Sequence, residues 1–337
     1  MSPRSPALAK PEPPKVVLTS GFGYTGSGAV LDLLSEYEGF RTPEEEFRII
    51  RDPDGISSLE QAVVHDWSLQ RVDRALKRFW RLVEVLGRRR IKFLRYGMNW
   101  DRNCNGRFFS ITQEYLSSLI ELRYAGHSVH DYYEASDVKY ILMKTAERFR
   151  VRRTGELWMG GPGAGFLPAT REYFGRLVAS VAGDESAVGV VLNQAASATR
   201  PQGALEYLDR GYVIVVDRDP RDVYVESRRQ RLTMFMPGGE LGDFVTWYRR
   251  HREEAARLTR PHPRVLHVQF EDLVLNYDDA VSRIMRFLDL TPDRHRDPAR
   301  VFDPGVSKRN VKMWKDFPRQ DEIGVIEQEL EEFLWTS

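Results

Sequence analysis

Three stretches of this sequence bring together residue types whose spacing can do chemistry. The first is Ser20-Gly21-Phe22-Gly23-Tyr24-Thr25-Gly26-Ser27-Gly28, which follows the apolar run Val16-Val17-Leu18 and leads into Ala29-Val30-Leu31. A strand that turns sharply into a helix leaves backbone N–H groups without intrahelical partners. Together with the positive end of the helix dipole they form an anion site. Glycine lets a phosphate approach the backbone closely, and the hydroxyls of Thr25 and Ser27 add donors. The candidate cradle is therefore Gly23, Tyr24, Thr25, Gly26, Ser27 and Gly28.

The spacing alone leaves the nucleotide open. Gly21, Gly23 and Gly26 fit a dinucleotide fingerprint, with Glu44, Glu45 and Glu46 near the expected acidic position. Arg41-Thr42-Pro43 ahead of them, however, does not look like a buried second strand. Gly21 and Gly26 fit the frame of a nucleotide-triphosphatase loop, but Ser27 stands where its phosphate-binding lysine belongs. A glycine-rich turn that holds nothing is the third option.

The second stretch is Gly211 to Arg231. The apolar run Tyr212–Val216 emerges into Asp217-Arg218-Asp219-Pro220-Arg221-Asp222, and Pro220 suits the first turn of a helix. Arg218 stands just past a strand end, where ligands of parallel sheets collect, and its planar fork matches a phosphate. The plainer alternative is a surface ladder of Arg–Asp pairs, worth little. The third stretch, Arg264 to Leu290, reads as a strand, the acidic turn Phe270-Glu271-Asp272-Leu273, and a helix capped near Asp278 or Asp279.

In that order the three stretches resemble the sulfotransferases that use 3′-phosphoadenosine 5′-phosphosulfate (PAPS). The resemblance covers residues 15–37 as a loop-and-helix pattern and residues 188–335 more firmly. The section from about Ser57 to Tyr173 has no counterpart. It implies an α/β fold of the P-loop-containing nucleotide-binding type, with a central parallel sheet flanked by helices. It also implies PAPS as donor, no metal, and transfer of a sulfuryl group to a hydroxyl of a small-molecule or glycan acceptor. The first loop would cradle the 5′-phosphosulfate. Arg218, with Ser227 as a weaker counterpart, would bind the 3′-phosphate. Lys308 and Arg309, ahead of Trp314-Lys315, match the family's closing basic segment.

The departures from the pattern matter as much. Many members carry a lysine or arginine where this loop has Tyr24, so the cation that neutralises the leaving phosphate must come from elsewhere. Arg48, Arg51, Lys144 and Lys308 are the candidates. The serine expected eight residues after Arg218 is Glu226, with Ser227 next to it. The histidine base of cytosolic members is absent from Asn193-Gln194-Ala195-Ala196-Ser197. Other branches use a glutamate after the first helix, which points to Glu45 and Glu46, beside Phe47, as candidate bases. Burial or adjacent carboxylates would raise their proton affinity, whereas a solvated helix start would not. His65, beside Asp66, is the runner-up base. Two other functions fit the loop. One is a phosphotransferase dependent on ATP and magnesium, and the other is a non-catalytic homologue that keeps only the nucleotide.

Five apolar, β-branched runs must position these residues: Lys15–Thr19, Tyr140–Met143, Val188–Leu192, Tyr212–Val216 and Val265–Val268. Continuous runs separated by helical segments predict parallel strands buried on both faces. A flexible, proline-rich leader is expected over residues 1–14. One domain follows over 15–337, with a largely helical insertion at about 57–133. Within that insertion Arg71–Trp100 offers Trp80, Tyr96 and Trp100 either to an acceptor or to an ordinary helix packed on one face. The segment ending the chain predicts an amphipathic helix with Ile323, Ile326, Leu330 and Leu334 on one face.

With 50 Lys and Arg against 49 Asp and Glu, the net charge is +1, which argues against a nucleic-acid partner. One cysteine, Cys104, excludes an internal disulfide and a cysteine-rich metal site. No apolar run approaches the length of a membrane helix. A cytoplasmic protein is expected, and a homo-oligomer is compatible with it.

Overall fold

The runs starting at Lys15, Val188 and Tyr212 form strands buried on both faces, and Val265–Val268 forms a half-buried strand at the sheet edge. In the computed structural model, seven strands occur among the described residues: β1 (Lys15–Gly21), β2 (Phe40–Arg41), β3 (Ile120–Gly126), β4 (Gly155–Gly160), β5 (Gly189–Leu192), β6 (Gly211–Asp217) and β7 (Val265–Gln269). The structure describes residues 13–43, 45–88, 97–126, 128, 130–133, 135–149, 155–161, 163, 165–184, 186–229, 236–237 and 239–336. The expected leader therefore lies outside the described residues up to position 12, as do Glu44 and Tyr96.

The chain divides into two compact units, Met1–Arg48 with Val178–Ser337, and Ile49–Leu177. The first holds a five-stranded sheet in the order β2-β5-β1-β6-β7, with every neighbouring pair parallel. Along β1 and β6, Val17, Ile214 and Val216 face a cluster built with Val30, Leu33 and Leu34 of helix α1 (Ser27–Ser35) and with Leu273, Ile284 and Leu288. The alternate residues Val16, Leu18, Val213 and Val215 are buried too, so both faces are covered. Four of the five expected runs are strands of this sheet. The carboxyl ends of β1, β5 and β6 then deliver Phe22 onward, Asn193 onward and Arg218 onward to one edge.

The fifth run is a correction. Tyr140–Met143 lies in the helix Asp137–Arg148. Four adjacent apolar residues carry no period of their own. Val138, Ile141, Leu142 and Thr145 around them follow helical spacing, and Asp137 and Arg148 suit the two ends of the helix dipole. The fifth strand of the sheet is instead β2, which pairs with β5 alone, is two residues long and is limited to an edge by Pro43, which lacks a backbone N–H.

In the second unit, the helix Leu69–Gly87 starts at Ser68, whose side chain accepts from the Arg71 amide, and buries Val72, Leu76, Phe79, Val83 and Leu86. That stripe packs the helix by one face, as an amphipathic helix does. Trp100 is wholly buried, so it is a core residue and not a platform for a ligand. β3 and β4 pair antiparallel, so the section 57–133 is not helical throughout. At the end of the chain, the helix Gln320–Glu329 buries Ile323 and Ile326, and Leu330 follows at its cap. The backbone then tightens into a 3₁₀ turn, which takes Leu334 off that face.

Candidate functional site

The glycine loop adopts a left-handed conformation at three of its residues: Gly23 with φ 96°, Tyr24 with φ 52° and Gly26 with φ 84°. Glycine enters that region freely, and Tyr24 enters it at a cost. Gly26 has a second reason to be glycine, because a Cβ there would lie 2.5 Å from the Phe270 ring. The Phe22 amide donates to Thr25 Oγ1 at 3.3 Å, closing the turn from inside. Over Gly28, at the start of α1, a Cβ would meet open space. The loop thus turns its backbone toward an open helix N-terminus, the arrangement that holds an anion.

The end of β5 braces this loop. Thr19 Oγ1 donates to Asn193 Oδ1 at 2.9 Å, and Gln194 Nε2 donates to Ser27 Oγ at 2.6 Å. The Phe47 amide donates to the Asn193 carbonyl at 2.7 Å, which draws the Glu45–Phe47 segment to the same sheet end. Glu46 Oε2 accepts from Arg48 Nη1 at 3.2 Å, and both side chains remain partly exposed. Asn193 and Gln194 carried no motif in the sequence. Their only signal was position, directly after a buried strand.

Arg218 is buried at the end of β6. Its Nη1 donates to the Tyr24 carbonyl at 2.9 Å and its Nη2 to the Asn310 carbonyl. Its guanidinium lies 5.0 Å from the Phe270 ring centroid, and its Nε is buried without a hydrogen-bond partner. Burial pushes this guanidinium below its ordinary pKa, against the opposing charges of Asp222, Glu271, Glu226 and Asp219. Arg218 therefore ties the glycine loop to the segment that carries Lys308 and Arg309, both exposed on a 3₁₀ turn. Ser227 is buried and donates to the Tyr224 carbonyl at 2.7 Å.

The acidic residues around Arg218 organise backbone. Asp222 accepts from the amides of Lys312 at 2.7 Å and Trp314 at 3.2 Å, and so fixes the closing segment. Arg221 lies 4.0 Å from the Trp314 ring centroid and pairs with Asp219 and Glu327, each at 2.6 Å. Glu271 Oε1 accepts from the Asp219 amide at 2.9 Å, while its Oε2 is buried without a partner. Burial raises the Glu271 pKa to about 7.

One residue at this site escaped the sequence. Arg252, on the helix Leu241–Leu258, is 6% exposed, and its guanidinium lies 3.6 Å from the Phe22 ring centroid and 4.2 Å from that of Tyr248. Its Nη2 donates to Asp217 Oδ1 and to the Tyr248 hydroxyl, which in turn donates to the Arg218 carbonyl at 3.1 Å. Phe244, Tyr248 and Arg252 fall four residues apart, so a charged residue continuing an apolar stripe was the available signal.

His65 and Lys144 belong to the second unit. His65 ends a wide helical turn, exposed and beside Asp66, and the Lys144 ammonium lies 4.6 Å from the Tyr132 ring centroid. Arg51 belongs to that unit as well. Among the described residues no group of acidic, histidine or cysteine side chains is placed to hold a metal, and no helix is long and apolar enough to cross a membrane.

Part of the chain is similar to known proteins. Residues 204–294, which carry β6, Arg218, β7 and Glu271, match the model of the sulfotransferase family. No curated protein matches the chain. Solved structures similar to it include the sulfotransferase domain from the Synechococcus PCC 7002 olefin synthase, at 15% identity over 100% of each chain and a TM-score of 0.43. The sulfotransferase domain from the curacin biosynthetic pathway shares 14% identity over 96% of this chain and 99% of that chain, with a TM-score of 0.42. A sulfotransferase from Mycobacterium tuberculosis shares 13% identity over 96% of this chain and 77% of that chain, with a TM-score of 0.39.

Proposed function

We propose that this chain, which fits the sulfotransferase family with its P-loop-like α/β fold, moves a sulfuryl group from PAPS to a hydroxyl of a small-molecule or glycan acceptor. The observation that carries the reading is the hydrogen bond from Arg218 Nη1 to the Tyr24 carbonyl, which joins the anion-binding loop to the arginine-bearing strand end.

The residues present fit a phosphosulfate nucleotide. The left-handed turn at Gly23, Tyr24 and Gly26 opens at the start of α1, the buried Nε of Arg218 lacks a partner, and Lys308 and Arg309 stand exposed next to Asn310. The amides of residues 25–28 would hold the 5′-phosphate. Arg218 and the Lys308–Arg309 turn would bind the 3′-phosphate that distinguishes PAPS from ordinary nucleotides. PAPS, when bound, supplies the sulfuryl group for an in-line displacement.

For such a displacement, positioning and charge stabilisation do most of the work. Glu46, drawn to the sheet end through Phe47 and oriented by Arg48, would accept the proton of the acceptor hydroxyl, with Glu45 beside it. Tyr24 brings a hydroxyl and no charge, so Lys308 or Arg48 would supply the cation toward the leaving phosphate.

A thermal-shift panel of 3′-phosphoadenosine 5′-phosphate, AMP, ATP with magnesium, and NAD tests the donor. The 3′-phosphorylated nucleotide should stabilise the protein most, and Arg218→Ala should abolish its advantage over AMP. Equal stabilisation by AMP and its 3′-phosphorylated form overturns the reading, and a preference for ATP with magnesium replaces it with a phosphotransferase. With a donor and acceptor in hand, a Glu46→Gln variant that keeps the full transfer rate removes Glu46 as the base.

A further inference from the structure

We infer that two copies of this chain pair through the helix Asp137–Arg148, antiparallel about a two-fold axis. The inference concerns the second unit alone and holds whatever nucleotide the glycine loop binds. One face of this helix is engaged within the unit. Tyr140 meets Tyr132 edge-on at 6.2 Å, and Lys144 lies over the Tyr132 ring at 4.6 Å. The opposite face is apolar and open. Val138 is 69% exposed, Ile141 62%, Leu142 59% and Phe149 72%, and Thr145 lies between them on the same stripe. The amide of Phe149 still donates to the Thr145 carbonyl at 3.1 Å, so the stripe runs one residue past the helix end.

Two physical arguments select a second copy as the occupant. The first is area. A 12-residue helix in water is marginal without a packed apolar face, and this one buries none of its described side chains. A stripe of three to four turns presents a patch of roughly 300–600 Å², about the largest a monomer exposes. Two such patches together make an interface at the low end of specific complexes, in the range of weak dimers.

The second argument is charge. Asp137 lies in the first turn and Arg148 in the last, both exposed. An antiparallel pair centred between Leu142 and Met143 sets Asp137 against Arg148 of the partner subunit, and the reverse contact follows from the two-fold axis. Between these two ion pairs, Ile141 and Leu142 of each copy lie nearest the two-fold axis, with Val138 further out toward each end. A parallel pair would set like charges against each other at both ends.

Sedimentation velocity on the full chain between about 1 and 100 µM tests this, with far-UV circular dichroism confirming that each variant is folded. The wild type should pass from monomer to dimer over that range. Ile141→Asp should raise the dissociation constant at least about tenfold. Asp137→Arg and Arg148→Asp should each weaken the dimer, because each sets two like-charge contacts in the pair. The double variant Asp137→Arg/Arg148→Asp should return to within about threefold of wild type. A monomer at every concentration overturns the inference. So does a dimer that Ile141→Asp leaves unchanged, or a double variant no tighter than the two singles. Binding of the monomer to anionic phosphatidylserine vesicles through this stripe, without dimers, assigns the face to a membrane surface and likewise overturns it.

Discussion

Glu271 is the residue at which burial, charge and the site meet. Its carboxyl is 1% exposed, one oxygen accepts from the Asp219 amide, and the other has no partner. Burial dominates and raises its pKa to about 7, with Asp219 and Asp222 pushing the same way and the amide hydrogen bonds opposing. The folded state therefore holds a proton here that the unfolded chain releases near pH 4.5. The contribution of this group to stability is full below that value, falls as pH rises toward 7, and is level above it. Glu271→Gln keeps an acceptor for the Asp219 amide and removes the charge. Its stability relative to wild type should rise between pH 5 and 7.5 by up to about 3 kcal/mol, read from urea midpoints. A difference that stays constant with pH contradicts this. Arg218 and Glu271 were legible as residues just past β strands, but Phe270 to Leu273, expected as a turn, opens the helix Phe270–Leu275, and the next helix starts after Asn276 and not at Asp278 or Asp279. The sequence did not reveal that Arg218 donates from one amino group to the Tyr24 carbonyl of the glycine loop and from the other to the Asn310 carbonyl, which depends on where the closing segment returns to the sheet.

Single elements decide how rigid that loop is. The helix Leu241–Leu258 supports it through one side chain, with Arg252 placed between the rings of Phe22 and Tyr248 and joined to Asp217. A buried cation between two rings is worth about 2 kcal/mol, and breaking a buried pair costs more than breaking an exposed one. Arg252→Met keeps the volume and loses the fork. It should lower stability by about 2–4 kcal/mol, with Arg252→Lys intermediate because it restores the charge without the geometry. Denaturant midpoints of the three proteins check the order, and a methionine variant as stable as wild type excludes the strut. The strands around this loop were legible because continuous β-branched runs have one use, burial between two layers. The helix Asp137–Arg148 was not, because Tyr140 to Met143 is apolar at every position and only its flanks carry the period. The β3–β4 pair is legible on one side only: Ile120, Leu122 and Tyr124 alternate with Glu121 and Arg123, a strand signal that the expectation of a largely helical 57–133 passed over, whereas Leu157-Trp158-Met159 on the partner strand carries no such period.

The whole molecule is knit by its first strand. β1 occupies the centre of the sheet, pairing with β5 from Lys15 to Leu18 and with β6 from Val16 to Gly21, although more than 160 residues separate it from either. Val16, Val17 and Leu18 are buried there, and Lys15 Nζ donates to the carbonyls of Leu288 and, at 2.8 Å, Asp289. The chain between, Ile49–Leu177, forms its own compact unit, and the helix Asp137–Arg148 within it contributes little to any core. Continuity of the backbone through that helix is therefore not what holds the two ends of the chain together. A sequence-specific protease site inserted between Lys144 and Thr145 tests this. After cleavage, β1 remains paired with β5 and β6, and β3 with β4, so the two fragments should elute together at the mass of an intact monomer. They should separate only in denaturant, at about 6 M urea. The insertion interrupts the apolar stripe, so no dimer should form before or after cleavage. Fragments that part in native buffer would mean that the central strand is held by chain connectivity and not by its ten parallel register positions.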